Sequence, residues 1–561
     1  MVGVAGFWGL TAQNPKSLIT QGGQSQPLAA QFVPRQSPVM VSLLARPDRL
    51  WQLRQLLTPA SHRAAARQEW QSLQQSLEDL VGWDYEADVR PWLDEEATFA
   101  VTAADLDRNR DNGLQPGYLV VLSCRDPDAA RAALHLLWQQ RAAQGRQLVF
   151  ETAAGVPLIS DQALPSVPAS RWSSSSDFTL ETLATALVGD RYVLMANDAQ
   201  VLRQALTTFR APDVSLARTP DYREAIATLP ANRVGWVYAN VPSLLTWLGI
   251  GDRDSQSPIQ PAGQRTNRIF ISWQALAEGV RGNVAIAPAP GSPTAEAGTT
   301  AASASSAPAT LLALLPENTL FTTTGPNLSQ RLQTLSTNIG GYSFAQSAVR
   351  LAFESLSLDP LLAGGDLASH WQGDYALGLL PGSRPDWVLI TPSPAADLTA
   401  VDAAAAAQGL TVSRIPYQGQ SITAWTRLAL NRASPAASLG LTTQVVAVHA
   451  PVQGYEVLAT SLAALQQIGP QSSAAPLTDQ PAFAQLVEQF APLGDNLIYL
   501  DWPTIAPSLT QRFPWLRALE VAGQPFTAHI GPVLVSSTSA SSALPTGAIA
   551  IKLLENPQKT S

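Results

Sequence analysis

The strongest constraint on the fold is a repeat: two stretches of the chain carry the same landmarks in the same order, at a separation that falls from 282 to 261 before closing strands that stand 265 apart. Pro34 and Pro316 lie 282 residues apart, each ahead of a strand-like run, Val39–Leu44 and Leu320–Thr323. Asp88 and Asp366 stand 278 apart, each preceding a tryptophan and a second apolar run. Gly145/Gly409, Gly155/Gly419 and Val193-Leu194/Val457-Leu458 share a separation of 264, and Pro220/Pro481, Tyr222/Phe483, Tyr238/Tyr499, Asn240/Asp501 and Pro242/Pro503 one of 261. Strands Gly282–Ile286 and Gly547–Ile551 close the two copies. Much of the drift falls at one place, where the first copy has a loop over 104–117 and the second crosses with Pro381–Asp386.

This pattern predicts a tandem duplication. Between the copies, Ala287–Ala309 holds no large apolar side chain, so it cannot bury enough surface to offset the entropy of ordering and reads as a linker. The expected division is an apolar N-terminal stub and polar lead-in over 1–29, repeats over 30–286 and 310–554, the linker 287–309 between them, and a tail over 555–561. A chain of 561 residues exceeds what one hydrophobic core supports, which agrees with two units. Within each, apolar strands alternate with amphipathic or alanine-rich helices, and short turns such as Ala153-Ala154-Gly155 indicate antiparallel hairpins. The predicted class is α+β, each repeat a mostly antiparallel sheet with helices packed on one side.

Composition narrows function mainly by exclusion. The net charge is −8, and lysine occurs only at Lys16, Lys552 and Lys559, which leaves no basic stripe for a nucleic acid and no phosphate-loop or Schiff-base lysine in a repeat interior. The single cysteine, Cys124, falls in the apolar run Tyr118–Cys124 and reads as a buried small hydrophobe. No cofactor fingerprint is present.

The most site-like string is Asp105-Leu106-Asp107-Arg108-Asn109-Arg110-Asp111-Asn112-Gly113, whose alternating oxygen groups, Asp105, Asp107, Asn109 and Asp111, imitate a calcium loop. Counting from Asp107 puts Asn112 where the turn glycine belongs and Tyr118 where a bidentate Glu is needed, and two arginines oppose a cation. The string therefore reads as a solvated hairpin loop, with Asp105, Asp107, Asn109 and Asp111 a weak metal candidate. Helix capping and turns account for Asp88 and Asp366, and Glu96 aligns with Asp374. His62, His135, His370, His449 and His529 show no metal-ligand spacing, with His135 expected packed or half-buried in its helix. Most of the tryptophans lie in apolar runs and belong in the core; Trp8 and Trp51 are less settled.

Met1–Ala12 is apolar and uncharged, shorter than the roughly 20 residues of a membrane span. It reads either as the tail of a longer hydrophobic helix or as a docked terminal segment. Phe32–Leu57 (FVPRQSPVMVSLLARPDRLWQLRQLL), Asp84–Trp92 and Asn112–Leu122 (NGLQPGYLVVL) resemble a cyanobacterial family known only as a domain of unknown function, DUF3352. That resemblance implies an N-terminal membrane helix followed by an extracytoplasmic body, and Gly6–Ala12 is similar to the end of that helix. It supplies no catalytic residue, and on that resemblance Met1–Ala12 would be only the end of the helix. The expected function is a non-catalytic, membrane-associated binding or assembly module in periplasm or thylakoid lumen, contacting membrane or membrane proteins. The alternatives are a hydrolase-like enzyme with dispersed residues in an inter-domain cleft and a carrier of an apolar ligand.

Overall fold

The computed structural model describes residues 15–81, 83–109, 114–162, 182–248, 268–287, 307–328, 373–382, 385–393, 398–417, 419–431, 440–468, 472, 474–489, 496–512, 529–537 and 546–554. Met1–Ala12, most of the linker, His370 and Asp366 lie outside them. Ala287 ends a strand and Ala307 opens a helix, so structure reaches into both ends of the expected linker.

The first ten strands are β1 Val39–Leu43, β2 Leu93–Ala103, β3 Gly117–Cys124, β4 Gln147–Ala153, β5 Val156–Gln162, β6 Ala184–Val188, β7 Tyr192–Ala196, β8 Gly235–Asn240, β9 Arg268–Ala275 and β10 Gly279–Ala287. Their pairing gives the spatial order β4-β5-β6-β7-β3-β2-β1-β8-β9-β10, antiparallel throughout. The next ten are β11 Phe321–Pro326, β12 Asp374–Leu380, β13 Asp386–Pro392, β14 Thr411–Tyr417, β15 Gln420–Asn431, β16 Gly440–Val452, β17 Tyr455–Ala459, β18 Asn496–Leu500, β19 Ile530–Ser537 and β20 Thr546–Leu553. They pair in the order β14-β15-β16-β17-β13-β12-β11-β18-β19-β20, again antiparallel. Strand n of the first set and strand n plus ten of the second thus occupy the same place. β10 pairs with β20, so the two sets form one sheet with β4 and β14 at its ends.

The register at the join is symmetric. Tyr238 faces Phe270, which faces Ala285; in the second set Tyr499 faces Leu534, which faces Ala550. Ala285 and Ala550 are 265 residues apart, and so are Asn283 and Ala548, which face each other across β10 and β20. A local two-fold axis passes through that pair.

Helices stand on both faces of the sheet, not on one as expected. They are α1 Pro47–Leu57, α2 Arg63–Val81, α3 Pro127–Ala143, α4 Ala199–Arg210, α5 Pro220–Thr228, α6 Val241–Trp247, α7 Ala307–Leu312, α8 Leu398–Ala407, α9 Leu462–Ile468, α10 Pro481–Glu488 and α11 Trp502–Arg512. Val201, Leu202, Ala205 and Leu206 of α4 pack with Leu119, Val121, Leu194 and Ala196. Ala130, Leu134, Leu137 and Trp138 of α3 pack with the intervening residues Val120, Leu122, Val193 and Met195. Alternate strand residues point to opposite faces, so α3 and α4 sandwich the sheet. In the second set α9 and α8 do likewise, against Val388, Ile390 and Val457 on one face and Trp387, Leu389 and Leu458 on the other. The unbroken apolar run at Tyr118–Cys124 is the sequence signature of a strand buried on both sides.

One expected match shifts. Ala186 and Ala450 lie 264 apart, but Ala186 faces Leu194 and Ala450 faces Val457, so it is Leu194 and Val457 that hold the same place, 263 apart. Val188 and Tyr192 are joined through Gly189-Asp190-Arg191, whereas Val452 and Tyr455 are joined through Gln453-Gly454, both at positive φ. The shorter turn removes one residue, and a one-residue slip would exchange the faces.

The lead-in belongs to the fold from Pro15 onward. Leu18 is fully buried with Ala45, Leu53, Val234 and Ala275, and the amides of Gly23 and Gln24 donate to Arg233 O and Leu44 O.

Candidate functional site

The loop singled out in the sequence forms one wall of a cleft of 560 Å³. Asp105, Leu106 and Arg108 line it on that side, with Thr102 at the base; Gln200, Arg203, Gln204 and Thr207 face them from α4, and Ser243 and Thr246 from α6. α4 can do this because its apolar residues occupy one stripe; positions 200, 203, 204 and 207 recur at helical spacing on the other. Asp198 caps the helix, accepting from Gln200 N at 2.6 Å. The loop is moored by Asn197, whose Oδ1 accepts from Tyr118 N at 2.7 Å and whose Nδ2 donates to Pro116 O at 2.9 Å. At Gly117 a Cβ would come within 2.9 Å of Leu106, Thr102 and Val201, so glycine lets the loop base meet α4.

The acidic groups of the loop are engaged locally. Asp105 Oδ1 accepts from Gln115 N at 3.3 Å, and Asp107 Oδ1 from Asn109 N at 2.9 Å, a side-chain turn that accompanies the left-handed backbone of Arg108. Asp111 lies outside the described residues. Among the described residues no three His, Cys, Asp or Glu side chains converge to hold a metal ion. Arg203 pairs with Glu151 at 3.0 Å. The cleft therefore presents the amides of Gln200 and Gln204, the hydroxyls of Thr207, Ser243 and Thr246, the guanidinium groups of Arg108 and Arg203, the latter shared with Glu151, and the carboxylate of Asp105.

Three buried polar contacts escaped the sequence reading. In the first half Trp138 Nε1 on α3 donates to Thr185 Oγ1 on β6 at 2.8 Å, and Asp161 on β5 accepts from Arg141 and from Leu183 N at 2.7 Å. In the second half Asp402 on α8 accepts at Oδ1 from Trp425 Nε1 on β15 at 2.8 Å and bonds His449 Nε2 on β16 at 2.9 Å. The positions are the same at a separation of 264: Trp138 and Asp402, Asp161 and Trp425, Thr185 and His449. Each set ties its helix to its sheet with the donor and acceptor sides exchanged. An aspartate beside a histidine also resembles part of a catalytic relay, but the shared Oδ1, and Trp425 fully buried over it, mark a tether.

Glu96 is fully buried, accepting from the amides of Leu28 and Ala29 at 2.9 Å and from Thr98 and Gln24 side chains; burial outweighs these bonds and raises its carboxyl above the ordinary range. Asp88 does act in a turn, accepting from Asp84 N at 3.0 Å, while Asp84 accepts from Ala87 N. Arg233, also buried, donates to the carbonyls of Ile226, Leu229 and Pro230 at the end of α5 and lies 4.8 Å above Trp236; burial lowers its guanidinium to about 10. His529 Nδ1 donates to Leu554 O, and its Nε2 meets Arg54 at 2.8 Å and Glu69 at 2.9 Å, which links α1 and α2 to the second half. His135 is exposed, against the expectation of a packed or half-buried side chain, because it falls between the buried pairs Ala133-Leu134 and Leu137-Trp138. Cys124 is buried, and burial raises its thiol.

A model of the family described as "Protein of unknown function (DUF3352)" matches residues 1–553. The chain belongs to this family. No curated protein matches this DUF3352 chain. A solved structure titled "Structure of crystal form III of TP0453" is similar at 10% identity and a TM-score of 0.24, over 48% of this chain and 81% of that one. No helix among the described residues of the DUF3352 chain is long and apolar enough to cross a membrane.

Proposed function

We propose that the chain is a tandem duplication of one α+β unit that serves as a non-catalytic, membrane-associated, extracytoplasmic binding or assembly module. The observation that carries the binding role is the cleft between 102–108 and α4, whose lining gathers amide, hydroxyl and guanidinium groups around the one carboxylate of Asp105. Duplication is supported by the identical pairing order of the two strand sets and by helix–sheet tethers at matching positions. Membrane association rests on the likeness of Gly6–Ala12 to the end of the family's membrane helix.

The cleft is tested by screening polar small molecules for a rise in the unfolding midpoint of the whole chain. A ligand at a hundred times its Kd should add about 2.7 kcal/mol, and Gln204→Ala with Arg108→Ala should abolish the rise. Turnover of any screened compound by the purified chain would refute the non-catalytic reading. Membrane association is tested separately, by fractionating cells that make the chain.

A further inference from the structure

The hairpin of α1 and α2 ends in a tip that the cleft does not explain. Leu56 and Leu57, the last residues of α1, are 50% and 37% exposed. At the start of α2, Arg63 reaches back to the residue that follows them, its Nε donating to Thr58 O at 3.1 Å; Arg67, one turn further along α2, donates from Nε to Arg63 O at 3.3 Å, and both side chains are exposed. Neither makes an ion pair among the described residues. The nearest described acid on α2, Glu69, is engaged by Arg54 and His529. At the base of the tip Trp51 stacks on Trp70, centroids 5.4 Å apart and rings 10° from parallel, both half-buried.

Adjacent exposed leucines with unpaired arginines on the following helix and indoles behind are the parts of an interfacial contact. The leucines enter the acyl boundary, the guanidinium groups stay with the headgroups, and the indoles sit at their level. We infer that this tip docks on an anionic lipid surface. The charge argument is local: the chain as a whole carries −8, so two free cations on the helix that follows an apolar pair select an anionic bilayer against the repulsion of the remainder. The inference rests on the membrane-associated reading above and adds the contact to it.

The test is co-sedimentation of the full chain with phosphatidylcholine vesicles, with and without phosphatidylglycerol. The chain should partition onto the phosphatidylglycerol vesicles and be released by salt. Arg63→Gln with Arg67→Gln should weaken partitioning on the order of 30-fold, at about 1 kcal/mol per charge near the surface. Leu56→Ser with Leu57→Ser should weaken it as well, and an unchanged unfolding midpoint would show that these exposed substitutions leave the fold intact. If both double variants sediment like the parent chain, the tip is not the contact, although membrane association stands. If the parent binds neither vesicle, the lipid docking is wrong; membrane association then survives only if the chain fractionates with cell membranes. Tip-dependent capture of an acidic protein without vesicle binding would replace the lipid with that protein and overturn the inference.

Discussion

Replacing Asp402 by alanine separates a tether from a surface ornament. The carboxylate accepts from Trp425 Nε1 at 2.8 Å and bonds His449 Nε2 at 2.9 Å, with Trp425 fully buried and His449 nearly so. Its removal leaves two buried groups without a partner, each costing about 1–3 kcal/mol. Asp402 itself is 26% exposed, so water can reach part of the gap, and the lower end of the range applies, about 2–3 kcal/mol in all. Asp402→Asn keeps an acceptor oxygen and should cost about 1 kcal/mol. A chain of this size need not unfold in one step, so the assay should be local: amide hydrogen exchange of β15 and β16, with β5 and β6 as internal control. A loss of 2–3 kcal/mol accelerates exchange there by roughly 30- to 150-fold and leaves the first half unchanged. If β15 and β16 exchange within about twofold of the parent, the carboxylate holds nothing, and the correspondence with Trp138 and Thr185 has no energetic meaning.

Two further predictions follow from buried groups and close approaches. Glu96 is raised by burial, so the folded chain binds its proton over a range where the unfolded chain does not; its contribution is complete below the ordinary value of about 4.3 and fades as pH rises through the folded value. The difference in unfolding midpoint between the parent and Glu96→Gln should therefore shift in the parent's favour as pH falls from 7 to 5; a shift the other way would refute the sign. Gly23→Ala should destabilise more than Gly117→Ala, since a Cβ at Gly23 would lie 1.8 Å from the backbone oxygen of Leu44, whereas at Gly117 it meets only side-chain ends at 2.9 Å. Costs near the top and bottom of about 1–3 kcal/mol are expected, and equal midpoints in thermal unfolding would contradict the ranking.

Much of the architecture was legible because prolines and glycines fix backbone positions that strands must respect. Gly155 and Gly419 mark equivalent hairpins, and Pro220 and Pro481 open equivalent helices. The two-sided helix packing was missed, although the run Tyr118–Cys124, apolar at nearly every position, carried a sign of it. The slip at Val193 was hidden by an identical dipeptide, because Val193-Leu194 and Val457-Leu458 match one residue out of register, whereas Tyr192/Tyr455 and Ala196/Ala459 carry the true separation of 263. The tethers were hidden for a chemical reason: Trp138 aligns with Asp402 and Asp161 with Trp425, pairs that look unrelated until donor and acceptor are seen to face each other across helix and sheet. The burial of Glu96 was hidden because its donors come largely from residues 24–29, which composition marks as a polar lead-in. The cleft arises only when α4 and α6 approach the loop, and a linear pattern contains no such distance.

The axis through Asn283 and Ala548 gives the join the geometry of an isologous homodimer interface, in which one patch meets its own image. Here the image is part of the same chain. Residues 288–306 link the ends of the two strand sets covalently, so association becomes intramolecular and holds however dilute the protein becomes. The same closure consumes the edges of β10 and β20, which in separate units would recruit further copies, and leaves β4 and β14 as the ends of the described sheet, the latter carrying Pro416.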